Sequence, residues 1–171
     1  MARKTQQVEE RLVAEYLKDV YPQYPTINKQ PLGKVSESLM ATEGYKRALG
    51  ISRPFRPYAD AIVILPGALV LIEAKVWSIL NGLAKLPMYK SLVPFTPELK
   101  DYWKLPVVME LVVGWSNTNL EIMARKYDVK VVVYCPDWLK TVVERMHNYW
   151  TKEYREERER VMENRRMLGV E

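Results

Sequence analysis

The sequence predicts an α/β layered domain with a mixed sheet and a long C-terminal helix, and three observations carry that expectation. Residues 6–20 repeat apolar side chains at helical spacing, two apolar runs flank Pro66 and Gly67, and helical and strand patterns alternate from residue 78 onward. With 171 residues, 48% of them hydrophobic, the chain can bury one sizeable core and has little room for a second. The expected division is a main domain over 1–151 and a charged helical extension over 152–171.

The first helix is expected over 6–20, because Val8, Leu12, Val13, Tyr16, Leu17 and Val20 share one broad face. Glu9 falls near the centre of that face. A carboxylate there either meets a cation or marks a frayed end. Residues 21–58 are rich in Pro, Gly, Ser and Lys, with one strand expected near 33–38 and a short helix near 38–49. Residues 58–65 and 68–75 then read as a hairpin turning at Pro66 and Gly67.

A helix over 78–93, bent or broken near Pro87, leads to a strand over 107–115. Glu110 interrupts that apolar strand and marks a sheet edge or a second acidic site, the edge being favoured. A helix over 117–127 and a strand over 129–134 follow. The last helix begins near Pro136 and extends toward Leu168. At that length it reaches about 50 Å, more than a small sheet needs for cover. Its apolar stripe (Leu139, Val142, Val143, Met146, Tyr149, Trp150) gives way after Tyr154 to alternating Glu and Arg. Val161, Met162, Met167 and Leu168 then call for cover, from a second copy in a homodimer or from the same domain if the tail folds back.

Several function classes are excluded. The longest nearly apolar stretch, 61–72, contains Pro66 and Gly67 and falls short of the roughly 18 residues a membrane span needs, so no membrane association is expected. The opening MARKTQQVEE is polar where a secretory leader is apolar. An intracellular location follows as the expectation: cytoplasm or nucleoid, or a host cell for a viral protein. Cys135 has no second cysteine to pair with, and Cys135 with the lone His147 cannot build a zinc cluster or a histidine triad. No glycine-rich phosphate loop is present. Residues 1–57 hold 10 Lys and Arg against 6 Asp and Glu, most of the net +5. Lys46, Arg47, Arg53 and Arg56 in this segment favour a polyanion such as DNA.

The hairpin carries the most specific signal. Closing it symmetrically about Pro66 and Gly67 sets Asp60 opposite Glu73, and strand alternation puts Lys75 on their face. Facing carboxylates repel unless a cation lies between them. Mg²⁺ suits such a pair, since it takes hard oxygen ligands and keeps waters able to attack phosphate. Lys75 could orient or activate that water. A structural salt bridge among Asp60, Glu73 and Lys75 is the other reading.

Asp60, twelve intervening residues and Glu73-Ala74-Lys75 resemble the motif of the PD-(D/E)XK nuclease superfamily, with Ala59 in the place of the motif's Pro. The expected element order from Gln6 to Tyr134, roughly three quarters of the chain, resembles that superfamily's restriction-endonuclease-like αβββαβ core. The resemblance implies a metal-dependent deoxyribonuclease, endonuclease or exonuclease, acting in DNA recombination, repair or processing. Asp60, Glu73 and the carbonyl of Ala74 would hold Mg²⁺, with Mn²⁺ as its substitute, and Lys75 would serve the attacking water. Glu9 matches the first-helix glutamate of junction-resolving members. Lys85-Leu86-Pro87-Met88-Tyr89 resembles the Q-x-x-x-Y motif of helicase-linked members with Lys in the Gln place, which makes Lys85 and Tyr89 candidate DNA contacts. A nuclease-fold module turned to DNA binding or assembly, for example in a viral structure, is the alternative.

Overall fold

Pro66 and Gly67 turn the chain between β2 (Tyr58–Leu65) and β3 (Ala68–Lys75), the strands around which the neighbouring elements are laid. The computed structural model describes residues 2–147, 152–167 and 169, in two compact units, 1–134 and 135–171. The first unit begins with α1 (Ala2–Val20), β1 (Thr26–Pro31), α2 (Glu37–Glu43) and α3 (Tyr45–Ser52). After the hairpin come α4 (Ile79–Leu92), β4 (Val107–Val113), α5 (Thr118–Lys126) and β5 (Val129–Val133). The sheet order is β1-β2-β3-β4-β5, antiparallel from β1 to β3 and parallel from β3 to β5. The fold is therefore α/β with a five-stranded mixed sheet, and α1-β1-β2-β3-α4-β4 follows the αβββαβ order.

Both faces of the sheet are covered, which is why β2 and β3 are apolar throughout their middles. Glu110 and Leu111 are neighbours on β4 and point to opposite faces. Glu110 meets Tyr16 of α1, whereas Leu111 lies against Gly82 of α4, so the two helices flank opposite sides of the sheet. The middle of the stripe expected on α1 is buried, at Leu12, Val13, Tyr16 and Leu17, whereas Val8 is only partly buried and Val20, at the helix end, is exposed. On the α4 side, Leu83 and Leu86 join Leu71, Leu111 and Leu120 of α5 in the main core. Asn117 starts α5 by accepting the Leu120 N–H at 2.9 Å.

The structure corrects the sequence reading in three places. The strand expected at 33–38 is instead β1, Thr26–Pro31, and Gly33 beyond it adopts φ +94° in a connecting segment. β1 is an edge strand of mostly polar residues, held by backbone pairing to β2, so no apolar alternation marks it. The single helix expected at 38–49 is two, separated at Gly44 with φ +76°. Glu110 is not at a sheet edge, because β4 lies between β3 and β5. It is 1% exposed, its Oε2 accepts from Tyr16 at 2.8 Å and Tyr21 at 3.0 Å, and its Oε1 pairs with Lys130 at 2.7 Å. Those bonds account for both oxygens and make it a structural acid.

In the second unit, α6 (Asp137–His147) starts directly after Pro136, and α7 (Lys152–Met167) carries the alternating charges, with the side chains of 156–167 exposed. Tyr149 and Trp150 of the expected stripe, and Leu168, lie outside the described residues. Among the described residues no helix is long and apolar enough to cross a membrane.

A second buried charge ties the segment before β2 to the rest of the first unit. Arg56 is 7% exposed and grips both oxygens of Glu98, at 2.7 and 2.8 Å, while also donating to the carbonyl of Pro31. Removing one partner leaves a guanidinium without its counter-ion in a dry site. Glu98→Ala should lower the unfolding free energy by about 3 kcal/mol, the low end for a broken buried pair, as read by urea titration.

Candidate active site

The five pairs of the β2–β3 ladder run from Leu65↔Ala68 to Ala61↔Ile72, the register expected from the turn, and end there. Asp60 comes next. Its Oδ2 accepts the Ala74 N–H at 3.0 Å, so a side chain takes over the backbone pairing just where the ladder stops. On the other edge of β2, the register passes from Asn28↔Ala61 to Gln30↔Ala59, and Lys29 between them has φ +51°. A positive φ on a lysine is uncommon. Asp60 thus sits at an irregular point of the sheet, beside the end of β3.

Glu73, one residue beyond the last pair on β3, is 1% exposed. Its Oε1 receives Lys85 from α4 at 3.0 Å and Lys75 at 3.4 Å, whereas its Oε2 is buried without a hydrogen-bond partner. Lys75 is held from the other side of the sheet. Its Nζ lies 2.8 Å from Glu9 Oε2, and Glu9 Oε1 accepts the Val76 N–H at 3.2 Å. The close approach of α4 depends on Gly82: a Cβ there would lie 2.6 Å from Lys75 Cγ and 3.0 Å from Leu111 Cδ1. Glu9, Asp60, Lys75 and Lys85 line a cleft of about 240 Å³ together with Tyr58 and Tyr89, and Glu73, held by two of its lining lysines, is not itself among the lining residues.

Burial sets the electrostatics. It raises the Asp60 carboxyl above the ordinary carboxylate range, against the Ala74 N–H and the two lysines. It raises Glu73 as well, and the charge of Asp60 adds to the effect. For Lys75 burial disfavours the ammonium, but the hydrogen bond it donates to Glu9 and the charges of Glu73 and Asp60 outweigh it and the net shift is upward. Lys85 is raised on the same balance, burial opposing and Glu73 prevailing. Tyr89 is pushed up by burial, then by Glu73 and Asp60, and stays a phenol. Both lysines are therefore firmly cationic, suited to orienting and screening charge rather than to removing a proton.

The other residues singled out from the sequence are distributed unevenly. Tyr89 is buried at the cleft wall. Arg56 lines the cleft, but its guanidinium is directed to Glu98 and to main-chain carbonyls, which makes it a structural residue rather than a phosphate contact. Lys46, Arg47 and Arg53 are exposed on and just after α3 and are not among the cleft's lining residues; Arg47 pairs with Glu43 at 2.9 Å. Gln6, Lys29 and Tyr58 line the cleft without having been singled out. Gln6 was findable, one helical turn before Glu9 on α1. Cys135 is partly buried and its thiol is pushed up chiefly by burial, in keeping with an inert cysteine.

The donor set suits a small hard cation. Asp60 and Glu73 offer carboxylate oxygens, and Glu73 Oε2 is a buried acceptor with nothing bonded to it. The Ala74 N–H faces Asp60, and in a strand the carbonyl of the same residue points to the same edge. No group of three or more Asp, Glu, His or Cys is spaced for a metal among the described residues, so a cation here would draw the rest of its shell from water and substrate, as Mg²⁺ commonly does.

No protein-family model and no curated protein matches the chain. Among solved structures, a repair endonuclease from Pyrococcus abyssi aligns with a TM-score of 0.45 at 13% sequence identity, covering 74% of this chain and 47% of that one. The chain thus spans about half the length of that protein.

The raised carboxyls give a signed pH dependence. A carboxyl whose folded pKa is raised contributes stability that is present below its unfolded pKa and lost as pH rises through the folded value. For Asp60 and Glu73 that loss begins in the ordinary carboxylate range and extends upward. A dication binding the ionised pair must release their protons. If MgCl₂ raises the melting temperature through this pair, the rise should therefore grow as pH increases above the ordinary carboxylate range. A rise that is flat or shrinking as pH increases there would contradict the assignment.

Proposed function

We propose that the cleft is the active site of a metal-dependent DNA phosphodiesterase, an endonuclease or exonuclease serving DNA recombination, repair or processing. The observation that carries this reading is the unpartnered Oε2 of Glu73, buried beside Asp60 and Lys75 at the end of the hairpin ladder. Asp60, Glu73 and the carbonyl of Ala74 would hold Mg²⁺, or Mn²⁺ in its place. When bound, the ion supplies positive charge that polarises the phosphate and makes water more acidic. Lys75 orients the attacking water and offsets charge on the phosphate, and Glu9 keeps its ammonium aimed into the cleft. Lys85 and Tyr89 contact the DNA backbone near the scissile bond, while Lys46, Arg47 and Arg53 bind it farther out.

One observation favours a second reading, a nuclease-fold module serving DNA binding or assembly, as in a viral structural protein. Lys75 and Lys85 already neutralise Glu73, as a structural salt bridge would. Cleavage assays with MgCl₂ on branched, linear and single-stranded DNA separate the readings. Glu73→Ala and Lys75→Ala should each slow cleavage by about 100-fold or more while DNA binding largely persists. Unslowed cleavage in either variant, or none in the parent chain, would overturn the phosphodiesterase reading. A homodimer through the C-terminal helix belongs to the same proposal, on the exposure of Val161, Met162 and Met167. Light scattering should give twice the chain mass, and a smaller species when the chain ends near Lys152; a monomeric full chain would refute it.

A further inference from the structure

Glu73 is met by two ammonium groups that are held very differently. Lys75 is 13% exposed and anchored by Glu9 at 2.8 Å, so leaving Glu73 would strand a second carboxylate. Lys85 is 45% exposed, and Glu73 Oε1 at 3.0 Å is the one ion-pair contact described for it. Its four-carbon stem lets the ammonium move within the cleft while α4 stays in place. Neither lysine satisfies Oε2.

These contacts imply competition. The cluster of Glu9, Asp60, Glu73, Lys75 and Lys85 comprises three carboxylates and two ammoniums, so a dication entering it meets charge that is already largely balanced. Like charges a few ångströms apart repel strongly where water is scarce. Glutamine in place of Lys85 would offer a dipole without that repulsion. The ammonium that can yield is the one on the exposed, singly held side chain, and it would move in a cleft that the proposed substrate's phosphates must enter.

We propose that Lys85 is an internal counter-ion of Glu73 that a divalent cation displaces, and that the displaced ammonium then binds a phosphate of the DNA in the cleft. This rests on the phosphodiesterase reading of the same site. Two consequences follow. Lys85 weakens cation binding while no DNA is present, and it contributes to DNA affinity only once the cation is bound.

The test uses the full chain and its Lys85→Met, Lys85→Arg and Glu73→Gln variants. MnCl₂ is titrated without DNA, followed by calorimetry and by melting temperature. Binding of a short DNA duplex is measured by fluorescence anisotropy in EDTA and in CaCl₂. Lys85→Met should bind Mn²⁺ about tenfold more tightly than the parent chain, within the usual span of coupling between sites, while Lys85→Arg stays near the parent and Glu73→Gln loses the site. The duplex should bind the parent and Lys85→Met alike in EDTA, and bind the parent several-fold more tightly in CaCl₂. Melting in EDTA reports whether Lys85→Met folds; Lys85→Gln carries the same expectations if it does not. Mn²⁺ affinity in the neutral variants equal to or weaker than the parent's overturns the proposal, as does an equal loss of DNA affinity in EDTA and in CaCl₂. A folded parent chain that binds no Mn²⁺ brings down the phosphodiesterase reading itself, a different result from a parent that binds Mn²⁺ and variants that bind it no better.

Discussion

Burying the Glu73 carboxylate between two apolar layers costs several kcal/mol unless cations meet it, and the elements around the end of β3 are arranged to bring them. Lys75 comes from β3 itself and Lys85 from α4. Glu9 reaches from α1, on the opposite side of the sheet, to hold Lys75 in place and to cap the Val76 N–H. Gly82 lets α4 pass close enough for its lysine to arrive. Two helices on opposite faces are thereby tied to one strand end, and residues of both line the cleft beside it.

Comparison with the other enclosed carboxylates shows what is unusual here. Glu110 has a partner on each oxygen, Lys130 on one and two tyrosines on the other. Glu98 has both oxygens in the grip of Arg56. Fully satisfied polar groups of this kind fix a fold and have no capacity for a ligand. Glu73 keeps one buried oxygen without a protein partner, beside a second carboxylate that also sits above its ordinary range. An unsatisfied buried acceptor is costly to maintain, and strain of this kind collects at sites of function.

The hairpin was legible because two apolar runs flank an unambiguous turn, so five ladder pairs follow from Pro66 and Gly67 alone. The inward carboxylate on α1 was legible for the same reason, as a charge in the middle of an apolar stripe. Lys85 was found through its place in the helix after β3, but its contact with Glu73 depends on how closely α4 packs, which Gly82 governs from a distance no spacing reveals. β1 escaped notice because an edge strand needs only backbone pairing on one side. From sequence Arg56 resembles a phosphate ligand because its partner Glu98 lies 42 residues away and comes near only in the folded chain. The ladder's early stop was also hidden: continuing the register would have set Asp60 squarely across from Glu73, whereas its side chain turns to the Ala74 N–H.

The central claim is that Asp60 and Glu73 form an incomplete site that a divalent cation completes. Anomalous diffraction from crystals of the full chain soaked in MnCl₂ tests it most directly. The account predicts a manganese peak within bonding distance of Asp60 and of Glu73 Oε2, with the Lys85 ammonium moved away from Glu73. Electron density showing Lys85 still on Glu73, and no manganese beside the two carboxylates in crystals that bind the ion elsewhere, would contradict it.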